Sequence, residues 1–215
     1  MGKSMISPLR PILKAILNPM VRSSLRQRME RVEVQHILDR TWRLYPAYLR
    51  SVDGASLGVG PALVLRLAAC TAAIHAALMQ SGQTHEQAIQ ITADVGWAVY
   101  RWMGRIPWLL SGIVSRDPRK RLAISTEIFR RFPFSPPAYG WRNNPAPEGL
   151  VAFDCIRCPV AEYFSANGLS DLCVQTFCNL DFPLAKEWGA ELERTSSIAA
   201  GAPVCDFRWR ANSPR

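Results

Sequence analysis

Histidine is scarce in this chain, with three in 215 residues, and His36, His75 and His85 are scattered through it without metal-ligand spacing. No Walker-type glycine loop, no GxGxxG after a strand, no GxSxG elbow and no HExxH is present. Phosphate-cradling, dinucleotide, elbow-serine and zincin readings therefore have nothing to stand on. Uninterrupted apolar sequence is also lacking. Pro61 to Met79 comes closest to a span, but Arg66 and His75 interrupt it, so it reads as a buried core helix rather than a transmembrane one. Near the N-terminus, Pro8, Arg10, Pro11 and Lys14 break up the apolar residues that a signal peptide needs. A cytoplasmic location is the expectation.

Positive charge is present but local. Residues 1–50 hold ten Lys or Arg against three Asp or Glu, which is most of the net +9. The rest is nearly neutral, which argues against a nucleic-acid partner and for a basic N-terminal arm. That arm, from Pro11 to about Arg31, repeats Ile12, Leu13, Ile16, Leu17, Met20 and Leu25 at helical spacing. Packing on the domain or on a second subunit is favoured for it over lying on an anionic membrane, and it leaves a homodimer open.

What the sequence does have is cysteine: six, five of them (Cys155, Cys158, Cys173, Cys178 and Cys205) in the last third. A disulfide scaffold does not suit a chain of this length with no export signal, so reduced thiols are expected. The spacing predicts one α+β domain behind the arm, with boundaries at 1–50 and 51–215. Its helical part covers 51–131, a proline-rich connection 132–149, and a cysteine-rich sheet part 150–211. Helices are expected over about 34–44, 61–81, 84–102 and 118–131. The first of these should stop near Pro46, the third at Gly104 and Pro107, and 53–60 should be a glycine loop. The period then changes. Val151, Phe153 and Cys155 alternate with Ala152 and Asp154 as a half-buried strand, followed by short helices and two strands, about 190–196 and 204–210. The resulting fold class is an N-terminal helical layer followed by a short antiparallel sheet with covering helices.

Cys158 precedes Pro159, so it should sit at a helix N-cap, where the dipole favours a thiolate; a buried strand-end cysteine is the plainer reading. Cys178 lies in a turn three residues before Asp181, a nucleophile-plus-acid arrangement unless Asp181 simply caps the next helix. Cys173 and Cys178, five apart on a continuous helix, would point about 140° apart, which speaks against a four-thiolate zinc site. No metal and no cofactor is expected.

Val151 to Arg210 resembles the L-2-amino-thiazoline-4-carboxylic acid hydrolase family, through CPVAEYF, then LCVQTFCNLDFPLA with WG, then LERT and GAPVCDFR. Weaker agreement runs upstream through LGVGPALVLRLAA and SGQTHEQA. The closing Gly-x-x-x-Cys-x-Phe is similar to small-molecule-sensing domains of vinyl-reductase type. The resemblance implies a hydrolase that opens a C–N bond in a small cyclic amidine or thiazoline; a non-catalytic small-molecule-binding domain is the alternative. Applied to the matching positions, thiol chemistry makes Cys178 the nucleophile and Cys158 its alternate, with Asp181 or Glu162 moving protons. Arg194 would read a substrate carboxylate, and Cys205, Asp206 and Arg208 would line or support the pocket.

Overall fold

The computed structural model describes residues 10–26, 28–50, 52 and 57–212. Five helices come first: α1 (Arg10–Leu25), α2 (Arg31–Leu49), α3 (Val59–Met79), α4 (His85–Val114) and α5 (Pro118–Arg131). Strands β1 (Gly140–Asn143) and β2 (Leu150–Arg157) follow, then α6 (Pro159–Ala166), α7 (Ser170–Thr176) and α8 (Asp181–Glu187), and finally β3 (Ala190–Glu193) and β4 (Cys205–Ala211). The strands form one antiparallel sheet in the order β1-β2-β4-β3. The α+β class expected from the sequence is therefore the observed one.

The helical layer is organised around α3. Ala68, Ala69, Ala72 and Ala73 are fully buried, and small side chains let neighbouring helices approach closely. By length and composition α3 could cross a membrane, but 67% of its most apolar window is buried inside the protein. The arm is not separate from this layer: α1 buries Leu13, Leu17, Val21 and Leu25 in the same core cluster as α2 and α3. Of the expected 53–60 loop, residues 53–56 lie outside the described residues, and Gly60 already belongs to α3.

Two helices, α2 and α4, run past the prolines expected to end them. A proline inside a helix withholds the N–H that the carbonyl four residues earlier would accept. In α2, Pro46 frees the Trp42 carbonyl, and the Arg10 guanidinium donates to it instead at 2.6 Å. In α4, the stretch around Pro107 is held from outside. Trp188 Nε1 donates to the Gly104 carbonyl (3.0 Å), Ser125 Oγ to that of Pro107 (3.3 Å), and Arg121 to that of Trp108 (2.9 Å). Gly104 serves contact, not termination: a β-carbon there would run into the Leu184 side chain of α8. The α4 start is as expected, with Thr84 and Gln87 exchanging side-chain-to-backbone hydrogen bonds.

The proline-rich connection hides β1, a strand too short for a visible alternation. Gly140 opens it against Arg157 of β2, and Trp141 follows against Cys155. The third strand ends at Glu193, earlier than expected, because Thr195 and Ser196 leave the sheet to hydrogen-bond Asp206.

Candidate active site: a thiol-lined pocket on one face of the sheet

Strand alternation gives the sheet two unlike faces. Phe153 and Cys155 of β2 and Cys205, Phe207 and Trp209 of β4 share the inner face, with Cys155 directly opposite Cys205. Helices α5 and α8 pack over it through Leu122, Phe129, Leu184 and Trp188. Between sheet and helices lies a cavity of about 110 Å³. Half of the residues in its wall are aromatic, including Tyr100 of α4, Phe129 of α5 and Trp141 of β1.

All five C-terminal cysteines reach this cavity: Cys155, Cys158, Cys173, Cys178 and Cys205. All six cysteines of the chain are unpaired thiols. Cys158 is the N-cap of α6, with Pro159 next, as expected. The expected divergence of Cys173 and Cys178 is corrected by the backbone. Helix α7 ends at Thr176, and Cys178 begins a 3-10 turn that brings its sulfur back to a hydrogen bond with the Cys173 thiol.

The thiols differ in how readily they ionise. Cys205 is pushed up to about 11 by burial, and Cys155 is raised further by its hydrogen bond with Cys158 and by burial. Cys178 moves the other way. The Cys173 thiol donates to it, burial opposes ionisation, and the Ser197 hydroxyl (3.3 Å) and the Arg194 charge favour it, bringing the group down to about 7. Cys173, the donor, is raised by the same contact and by burial.

Beside Cys178, Arg194 Nη1 donates to the Cys178 carbonyl (2.8 Å) and to Asp181 Oδ2 (2.9 Å). The pair is buried, with the Arg194 side chain 5% and the Asp181 side chain 13% exposed. Tyr100 donates its hydroxyl to the other carboxylate oxygen at 2.7 Å. Burial pushes Asp181 up to about 6 against the pull of Arg194 and Tyr100. Asp181 is not a helix cap: it lies in the first turn of α8 behind Leu180, and its side chain is spent on Arg194 and Tyr100. The Arg194 guanidinium lies over the rings of Phe182 and Phe207, and its hydrogen bonds among the described residues use Nη1.

Three residues expected at the pocket lie elsewhere. Glu162 faces solvent on α6 and pairs with Arg157 at 3.1 Å. Asp206 and Arg208 occupy the alternate positions of β4, so they project from the other face of the sheet. There Asp206 accepts from the backbone and hydroxyls of Thr195 and Ser196. Burial would raise it, but those bonds outweigh burial and take it down to about 2. Arg208 pairs with Asp154 at 2.9 Å, alongside Arg142 at 2.8 Å and Asn144 at 2.7 Å. Asp154 is buried, yet these donors hold it below the usual carboxylate range.

Sequence reasoning missed Tyr100, Cys155 and Cys173 as pocket groups, and Ser197 as a donor to Cys178. Cys155 was legible, being in phase with Phe153 on β2. Tyr100 had no local signal, since it reaches Asp181 from 81 positions away. Among the described residues, no group of three or more His, Cys, Asp or Glu is arranged to hold a metal ion.

Fold and site together define an α+β protein with a thiol-bearing interior pocket. Residues 111–209 match the model of the family described as L-2-amino-thiazoline-4-carboxylic acid hydrolase, the family that the quoted sequence blocks resemble. The matched segment carries every pocket group named above except Tyr100. No curated protein and no solved structure matches the chain.

Proposed function

We propose that this protein hydrolyses a ring C–N bond of a small cyclic amidine of thiazoline type, with Cys178 as nucleophile. The observation that carries the reading is the meeting of Cys178, its donor Cys173 and the Asp181–Arg194 pair at one cavity, with the Ser197 hydroxyl on the Cys178 sulfur. An aromatic cavity of about 110 Å³ suits a compact, flat heterocycle. The Cys178 thiolate adds to the amidine carbon, and the ring nitrogen takes a proton as its bond to that carbon breaks. Water then adds to the thioimidate carbon, losing a proton, and the thiolate leaves. The net change is addition of one water across the C–N bond. Asp181, raised to about 6, holds and returns the proton. The uncommitted N–H groups of Arg194 read a carboxylate on the substrate.

The test is turnover by the full chain of 2-aminothiazoline-4-carboxylate and related cyclic amidines, followed as a mass gain of one water. Wild type should convert at least one. Cys178→Ser should lose on the order of a thousandfold or more, and Cys158→Ser should keep its activity. Equal activity in Cys178→Ser and wild type would end the nucleophile reading.

A second reading, a non-catalytic small-molecule-binding domain, draws on the aromatic wall and on an Asp181–Arg194 pair whose charges are already matched. Thermal stabilisation by a cyclic amidine without product would favour it.

A further inference from the structure

We infer that the C-terminal half of α4 is a docking surface for an anionic lipid bilayer. Trp102, Ile106, Leu109, Leu110, Ile113 and Val114 are all exposed there, Leu109 at 68% and Ile113 at 82%. At 100° per residue they form one continuous stripe, with Leu109, Trp102, Ile113 and Ile106 within about 60° of one another. The opposite side of the same helix is the packed one, carrying Gly104, Pro107 and Ser111. Over the thirteen residues from Trp102 to Val114 the stripe runs about 18 Å. A continuous apolar face of this kind on a soluble fold marks a contact surface.

The charges beside the stripe decide what it contacts. Arg101 and Arg105 lie along one edge, and Arg116 and Lys120 follow its C-terminal end, all exposed. Arg105, Arg116 and Lys120 make no ion pair among the described residues. A second copy docked stripe to stripe would bring these cations against their own equivalents. An anionic lipid surface instead accepts the apolar side chains below the headgroups and the basic ones at them, with Trp102 suited to the boundary. The helix then lies in the plane of the interface and does not span it.

The experiment is co-sedimentation of the full chain with phosphatidylcholine vesicles, with and without phosphatidylglycerol, beside light scattering of the protein alone. Binding to the phosphatidylglycerol vesicles is expected, weakened by salt, with little binding to phosphatidylcholine alone. Leu109→Glu with Ile113→Glu should reduce it at least about tenfold while leaving the melting temperature and the circular dichroism unchanged. Ile12→Glu with Ile16→Glu, on the exposed side of α1, should leave binding intact. Equal binding to both vesicle types, loss of binding through the α1 variant alone, or no vesicle binding by a dimer that the α4 variant dissociates would each overturn the proposal.

Discussion

The two faces of the sheet hold two aspartates in opposite conditions. On the outer face, Asp154 accepts from Arg142, Arg208 and Asn144 and is held low. On the inner side, Asp181 has one arginine and one tyrosine beside an aromatic wall and is pushed up to about 6 by burial. Donors and depth of burial together separate them: two arginines and an amide outweigh the burial of Asp154, whereas one arginine and one tyrosine do not outweigh the deeper burial of Asp181. A carboxylate of the first kind fastens structure; one of the second kind can exchange a proton near neutral pH.

Substitutions should divide along the same line. Among the carboxylates, Asp181→Asn is expected to have the largest effect, a loss of about a hundredfold or more in turnover measured as kcat with a converted amidine. Asp154→Asn should act on stability alone. Unpairing Arg208 and Arg142 should cost about 2–3 kcal/mol in urea unfolding, discounted because both arginines reach solvent, with kcat per folded molecule unchanged. A fall in kcat there, or none at Asp181, would break the comparison. Asp206→Asn should cost less, about 1–2 kcal/mol, and its pH dependence has a definite sign. Asp206 is depressed to about 2, so its contribution is present above the unfolded value and is lost as pH falls through about 2. Asp181 is raised, so its contribution is present below the unfolded value and is lost as pH rises through about 6. Unfolding free energy measured between these limits for Asp206→Asn and Asp181→Asn should depart from wild type in opposite directions. Glu162→Gln, on an exposed pair with Arg157, should stay within about 0.5 kcal/mol of wild type and keep its turnover.

Local chemistry made part of this legible in advance. The alternation over Val151–Cys155, the Cys158-Pro159 helix start, the Pro118 start of α5 and the cysteine-rich blocks all follow from near neighbours in the chain. What was misread depends on distant partners. Helix α4 runs on through Pro107 where Trp188, Ser125 and Arg121 donate to the carbonyls of Gly104, Pro107 and Trp108 from 84, 18 and 13 positions away. Asp181 reads as a cap because its real partners, Tyr100 and Arg194, are 81 and 13 positions away. Asp206 and Arg208 show the cost of grouping by proximity: they adjoin Cys205 and Phe207 in sequence, and the two-residue strand period sends them to the other face.

The most direct measurement is the pH dependence of alkylation of the folded protein by a small haloacetamide, resolved cysteine by cysteine by mass spectrometry. The account predicts that Cys178 reacts ahead of Cys155, Cys173 and Cys205, with a midpoint at about 7. A Cys178 that labels no faster than those three, or only at the pH where an ordinary thiol ionises, would contradict it.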